Sequence, residues 1–168
     1  MAVRYLNFLG RRTQEICCNR GTSGIDGSSS TAVGATFIRE GLVTLITGDM
    51  AFFYDRNAFW HNYPLANLRI ILLNNHAGGI FRLIDGPARQ PELAEFFETQ
   101  QALTAAHLAA EYGFHYASVT TSEELESALL EFYEPSLQPK IIEIESSSSR
   151  NADILKQIKG SISASLVN

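Results

Sequence analysis

The chain has 168 residues, 45% of them apolar and 18% charged, the composition of a globular protein of ordinary domain size. Its formal charge of −5, with Lys and Arg scattered along the chain, argues against a nucleic-acid or anionic-membrane surface. No stretch reads as a signal peptide, a membrane span or a CxxC pair, so a reducing cytoplasm is the expected compartment and zinc or redox work is not indicated.

In chain order, residues 2–13 read as a helix with Val3, Leu6 and Leu9 on one side. Residues 15–19 read as a short strand that places Cys17 and Cys18 in the core as two small, unbridged residues. The Gly/Ser-rich run from Gly21 to Ser30 leads into a helix reaching about Arg39, with Asp26 as a candidate cap. Residues 43–47 form an apolar, β-branched strand, and helical spacing follows from Ala51 to His61. A second buried strand covers residues 69–73 and ends at Asn74-Asn75. Residues 85–100, with Gly86, Pro87 and Pro91, read as a loop. Helices are expected over 102–112 and 122–134, a weak strand over 116–119, a strand over 140–145 and a last helix over 152–160.

Apolar strands with little polar alternation are buried on both faces. Alternating with helices, they imply a three-layer α/β/α domain around a mostly parallel sheet. Ligands of such sheets bind beyond the carboxyl ends of the strands, which directs attention to loops 19–27, 48–51 and 74–81. In the second loop, Gly48 permits a sharp turn and Asp49 offers a carboxylate. Small residues after it expose backbone N–H groups suited to phosphate. In the third, Asn75 offers an amide oxygen, and Gly78 and Gly79 allow close backbone approach. A carboxylate, an amide oxygen, a backbone carbonyl and two phosphate oxygens make a suitable shell for Mg²⁺. The same residues also have plainer readings: Asp49 as a helix N-cap, Asn74-Asn75 as a turn, Gly78-Gly79 as a flexible corner.

Gly48-Asp49-Met50, then 23 residues, then Asn74-Asn75 resembles the GDG…NN fingerprint of thiamine-diphosphate enzymes, with Met50 where Gly is usual and a slightly short spacer. The neighbouring words narrow the resemblance. The run Asn19-Arg20-Gly21-Thr22-Ser23-Gly24-Ile25-Asp26-Gly27 resembles the NRG-x-SGIDG stretch of the 2-succinyl-5-enolpyruvyl-6-hydroxy-3-cyclohexene-1-carboxylate synthase family of menaquinone biosynthesis. Residues 74–81 are similar to that family's NN-x-GG-x-IF, with Ala77 in place of a Gly, and residues 48–57 resemble its GDLS-x-x-x-DLN. The matching stretches fall in the family's order, and the resemblance covers about residues 3–160.

The resemblance implies a diphosphate- and metal-binding domain over residues 1–168, with thiamine diphosphate and Mg²⁺ (or Mn²⁺) as cofactors. Asp49 and Asn75 would bind the metal through side chains and Ala77 through its carbonyl. Gly48, Met50, Ala51 and Gly78 would shape the diphosphate pocket. Ser23, Gly24 and Ile25 would line the pyrimidine and thiazolium side, with Ile25 as an apolar wedge, and Ile80 and Phe81 would pack near the thiazolium. Arg4 and Arg20 would bind substrate carboxylates. The implied reaction is decarboxylation of 2-oxoglutarate and addition of the succinyl unit to isochorismate. The catalytic Glu is expected on a separate pyrimidine-binding domain upstream, supplied by a neighbouring subunit of a dimer or tetramer. The chain by itself is therefore expected to be inactive.

Plainer alternatives remain beside these roles. Arg20 also reads as a surface Arg, and Ile25, Ile80 and Phe81 as ordinary core. His76 reads as a solvated loop residue, and His61, His107 and His115 as structural. Another thiamine-diphosphate decarboxylase or carboligase would share Asp49 and Asn75, and a non-catalytic assembly module would keep only the fold. A nicotinamide fold is disfavoured because no G-x-G-x-x-G follows the first strand.

Overall fold

The structure is a computed structural model and describes residues 15–19 and 24–165. Four strands, β1 (Val43–Gly48), β2 (Leu68–Asn74), β3 (His115–Val119) and β4 (Lys140–Glu145), form a parallel sheet in the order β1-β2-β4-β3. The helices are α1 (Ser28–Thr36), α2 (Asp49–Tyr54), α3 (Asp85–Ala88), α4 (Ala106–Tyr112), α5 (Ser122–Phe132) and α6 (Ser148–Ser165).

The central place of β2 follows from its sequence. Leu68, Ile70 and Leu72 alternate onto one face, are fully buried, and meet Phe52, Phe59, Leu108 and Ile141. Ile71 points the other way, into a second cluster of Val119, Phe132 and Ile142 beneath Leu125 and Leu129 of α5. A strand apolar on both faces lies inside a covered parallel sheet. The two clusters make the expected three-layer α/β/α arrangement, with helices on both sides of the sheet.

Two cations anchor the second face. Arg69, wholly buried on β2, donates to the carbonyls of Phe132 (2.6 Å) and Glu134 (2.9 Å). Lys140, its neighbour in register on β4, donates to the carbonyls of Glu131 and Glu134. Positive charge at the C-terminus of α5 satisfies its orphan carbonyls and complements the helix dipole. At the other end of α5 a capping box closes the helix: Thr121 Oγ1 accepts the Glu124 N–H, and the Glu124 side chain accepts the Thr121 N–H.

Several expectations need correction. Residues 15–19 carry no strand, and Cys17 and Cys18 are both exposed. A strand needs a neighbour for its amides, and none of β1–β4 pairs with this segment. Asp26 does not cap α1: the N-cap is Gly27 at φ 76, and the Ser30 N–H donates instead to Asp55 from beyond α2, at 2.7 Å. The helix expected over 51–61 starts earlier, stops at Tyr54 and continues as a 3₁₀ turn, Arg56–Phe59. Residues 85–100 are more ordered than an irregular loop: they contain α3 and a π-helical turn, Leu93–Phe97. The helix expected over 102–112 begins only at Ala106, and α6 is longer than expected at both ends. The helix expected over 2–13 lies outside the described residues.

Candidate functional site

Because all four strands run parallel, their carboxyl ends share one edge of the sheet. Gly48 ends β1, Asn74 ends β2 and Glu145 ends β4, with Asn74 and Glu145 directly in register. The loops after β1 and β2 meet there. Asp49, the first residue of α2, is 3% exposed. Burial pushes its carboxyl above the ordinary value, opposed by hydrogen bonds from the Gln101 side chain and the Met50 and Ala77 backbones. The Gln101 amide donates to Asp49 Oδ2 at 2.9 Å.

After β2 the chain makes two successive side-chain turns. Asn74 Oδ1 accepts the His76 N–H at 3.0 Å, and Asn75 Oδ1 accepts the Ala77 N–H at 3.3 Å. The plain reading of Asn74-Asn75 as a turn is therefore right as local structure. The turn also folds the buried Ala77 back toward Asp49, whose carboxyl pKa the Ala77 amide lowers. The Ala77 carbonyl accepts the Gly79 N–H at 2.8 Å across Gly78, whose φ −73 and ψ 62 define an inverse γ-turn. A carbonyl oxygen keeps a second lone pair for another partner.

Gly78 and Gly79 are close-packed and do not form a loose corner. A Cβ at Gly78 would stand 3.2 Å from the Glu98 carbonyl, and at Gly79 2.7 Å from Asn75 Nδ2 and 3.1 Å from Ser148 Oγ. Gly48 is different. Its backbone is extended, so the turn does not demand glycine, and a Cβ there would enter open space. Among the described residues nothing stands within 4 Å of a Cβ added at Gly48, next to Asp49.

Buried acids support this edge. Glu143 on β4 is fully buried and accepts from Asn74 Nδ2 (2.7 Å), the Ala105 N–H (2.9 Å) and the Tyr116 hydroxyl (2.6 Å). Burial and the Glu143 contact raise the Tyr116 phenol far above its ordinary range. Glu98, also fully buried, takes a bidentate pair of hydrogen bonds from Arg82, both 2.7 Å, and one from Ser148. Its own carbonyl accepts the Gly78 N–H at 2.6 Å, so this ion pair pins the turn that carries Ala77.

Among the described residues no three His, Cys, Asp or Glu side chains stand together as a metal cluster. The oxygen donors these loops carry are a carboxylate, an amide oxygen and a carbonyl, a hard oxygen set of the kind that suits Mg²⁺ shared with a phosphate. One buried carboxylate with a penalty for its charge, beside open space over Gly48, fits a site completed by a cation.

Met50 and Ala51 follow Asp49 on the first turn of α2, both half-buried. Ile80 (43% exposed) and Ile25 (41% exposed) are not core residues in this chain, while Phe81 is half-buried against Phe97. Gly24 and Ile25 lie in the exposed loop ahead of α1. The bonds made by Asp49 to Gln101 and by Asn75 to Ala77 do not run through them. Arg4, Arg20 and Ser23 lie outside the described residues. His76 is no solvated loop residue: it sits at φ 57, half-buried, with Nε2 2.6 Å from Glu145. Sequence reasoning missed Gln101, Glu98 and Glu143. Glu143 carried one signal, a lone acid inside the apolar strand Ile141-Ile142-Glu143-Ile144; Gln101 carried none.

The parallel sheet, with a carboxylate and an amide oxygen converging beyond its carboxyl edge, is the architecture of a thiamine-diphosphate-binding α/β domain. Residues 1–144 match the family described as thiamine pyrophosphate enzyme, C-terminal TPP binding domain, and the chain belongs to that family. It is 53% identical over 170 aligned residues to the 2-succinyl-5-enolpyruvyl-6-hydroxy-3-cyclohexene-1-carboxylate synthase of Cytophaga hutchinsonii, covering 100% of this chain and 30% of that protein. It is 45% identical over 154 residues to the synthase of the same name from Christiangramia forsetii, covering 91% of this chain and 27% of that one. The chain thus spans about a third or less of these curated relatives. Among solved structures, the thiamine diphosphate-dependent 4-hydroxybenzoylformate decarboxylase of Rhodococcus jostii RHA1 superposes with a TM-score of 0.53 at 26% identity, covering 69% of this chain and 22% of that one. Among the described residues no helix is long and apolar enough to cross a membrane.

Proposed function

We propose that this chain is the diphosphate- and metal-binding part of a thiamine-diphosphate-dependent synthase. The whole enzyme decarboxylates 2-oxoglutarate and adds the succinyl unit to isochorismate, in the cytoplasm, as a step of menaquinone biosynthesis. The observation that carries this reading is the meeting of the loops after β1 and β2 at one sheet edge, where Gln101 bonds both Asp49 and Asn74 and Asn75 bonds the Ala77 amide. Similarity to synthases of that name over 100% and 91% of the chain supports the substrate class.

Asp49, Asn75 and the Ala77 carbonyl would hold Mg²⁺ (or Mn²⁺), which in turn holds a diphosphate. Gly48, where an added Cβ would meet nothing within 4 Å among the described residues, would leave room for the diphosphate, and Met50 and Ala51 on the first turn of α2 would border it. When bound, thiamine diphosphate supplies an electron sink for decarboxylation of a 2-oxo acid. Ser23, Gly24, Ile25, Ile80 and Phe81 would line the remainder of the cofactor. The exposed Ile25 and Ile80 suit that task, because an apolar side chain left open by its own domain is available to a ligand or partner. Arg4 and Arg20 would pair with the carboxylates of the two polyanionic substrates.

The catalytic Glu is assigned to a pyrimidine-binding domain of a neighbouring subunit in a homo-oligomer. Exposed Phe37, Ile38, Trp60 and Tyr63 agree with a face that expects a partner. The test is an assay of 2-oxoglutarate decarboxylation with thiamine diphosphate, Mg²⁺ and isochorismate. The chain alone should give no turnover, and the chain combined with the pyrimidine-binding domain should form the cyclohexene carboxylate. Robust turnover by the chain alone would contradict the assignment. A preference of the combined protein for a different 2-oxo acid, unaffected by Arg20→Ala, would favour a different decarboxylase or carboligase.

A further inference from the structure

Gln101 has no counterpart among the roles assigned above, yet both polar atoms of its side chain and its backbone N–H are bonded at this edge. Its Nε2 donates to Asp49 Oδ2 at 2.9 Å and to Asn74 Oδ1 at 3.2 Å. Its Oε1 accepts the Leu103 N–H, and its own N–H donates to the His76 carbonyl at 3.0 Å. The amide cannot flip without setting its oxygen against the Asp49 carboxylate and its NH₂ against the Leu103 N–H. Asn74 is equally fixed, because its Nδ2 donates to the Leu103 carbonyl (2.9 Å) and to Glu143 (2.7 Å). One continuous set of bonds therefore runs from buried Glu143 through Asn74 and Gln101 to Asp49. It spans β4, the end of β2, the segment before α4 and the start of α2.

We infer that Gln101 is a positioning residue for the metal site: it holds Asp49 Oδ2 and joins the loop after β1 to the loop after β2, so that the carboxylate is oriented before the cation arrives. This inference rests on the reading of Asp49 as a metal ligand. The torsion at the end of an Asp side chain is broad, so a buried carboxylate with no fixed donor has no fixed aim. Partners that orient a ligating carboxylate typically change metal affinity by about 10- to 100-fold when removed. A residue that merely filled space would act on stability instead.

The experiment measures Mn²⁺ binding to the full chain by electron paramagnetic resonance, with inorganic pyrophosphate as the diphosphate probe, alongside Tm. Gln101→Met keeps length and volume and removes the donor. Gln101→Asn keeps the amide and loses the reach, and stands in where the first variant folds poorly. Phe132→Leu loosens the core on the α5 face, away from Asp49, and serves as the stability control. Both Gln101 variants should weaken Mn²⁺ binding about 10-fold or more, while Phe132→Leu lowers Tm and leaves binding unchanged. Wild-type affinity in folded Gln101→Met or Gln101→Asn would overturn the inference while Asp49→Ala still abolishes binding. Binding that survives Asp49→Ala, or no Mn²⁺ binding by the wild-type chain, would overturn the metal reading itself and this inference with it.

Discussion

Asp49, just after β1, and Asn74, at the end of β2, share one hydrogen-bond donor. The Gln101 side-chain amide donates to Asp49 Oδ2 at 2.9 Å and to Asn74 Oδ1 at 3.2 Å, and the Ala77 N–H donates to Asn75 Oδ1 at 3.3 Å. Parallel pairing of β1 with β2 brings both loops to one edge, and the two side-chain turns after β2 fold Ala77 back toward Asp49. The predictions concern what depends on this meeting point.

Asp49 sets function against stability. Its folded pKa is raised above the ordinary 3.8, so the folded chain holds the proton more tightly than the unfolded chain does. The sign follows: the penalty is full above the raised pKa and is relieved as pH falls through it toward 3.8. Asp49→Asn removes the charge and keeps the shape, so at pH 7 it should melt higher than wild type in the absence of metal. A gain of about 1 kcal/mol would appear as roughly 2–4 °C in Tm. The same variant should lose any Tm increase produced by Mg²⁺ with thiamine diphosphate. Thermal melts with and without those ligands check both halves.

Gly79→Ala should damage the site more than the fold. The added methyl would meet Asn75 Nδ2 at 2.7 Å and Ser148 Oγ at 3.1 Å, and the Asn75 side chain is what can move. The methyl of Gly48→Ala meets nothing within 4 Å among the described residues, so this variant should fold as wild type. Any effect of Gly48→Ala should then appear only in diphosphate binding. Calorimetric titration of thiamine diphosphate with Mg²⁺ into each variant, with circular dichroism as the fold control, separates the two cases.

Glu143→Gln tests the buried acid. The carboxylate accepts three donors, and an amide must turn its NH₂ toward one of them. Leaving a buried donor unsatisfied costs about 1–3 kcal/mol, and a drop in the urea midpoint should report it. Adding Tyr116→Phe removes one donor, so the double variant should lose less than the sum of the two single losses.

Thr121→Ala removes half of the α5 capping box. The expected loss is about 1 kcal/mol, read as a lower Tm with unchanged metal binding. The Glu124 side of the box carries its own pH signature. Its carboxyl is held below the ordinary 4.5 by hydrogen bonds from Thr120 and Thr121. That contribution is present above 4.5 and is lost as pH falls through the lowered folded value.

How much of this was legible in the sequence depended on range. β1, β2 and β4 were readable because their apolar runs can only be buried on both faces, and the loops after β1 and β2 followed from the parallel-sheet rule. The placement of Asp49, Asn75 and Ala77 at that edge was readable because they sit in those loops. Gln101 was not, because its role arises from a contact 52 residues away with no local pattern to announce it. Glu98 was hidden the same way: its partners Arg82 and Ser148 lie 16 and 50 residues off. The false strand at 15–19 shows the opposite error. Ile16-Cys17-Cys18 is apolar, yet β-structure needs a pairing edge, and local composition does not supply one.

The most direct measurement is anomalous scattering from Mn²⁺ in crystals of the protein grown with thiamine diphosphate. The account predicts one peak bonded to an Asp49 carboxylate oxygen, Asn75 Oδ1 and the Ala77 carbonyl, at roughly the 2 Å typical of such hard oxygen ligands. A peak held by other residues, or a bound diphosphate with no metal between Asp49 and Asn75, would contradict it.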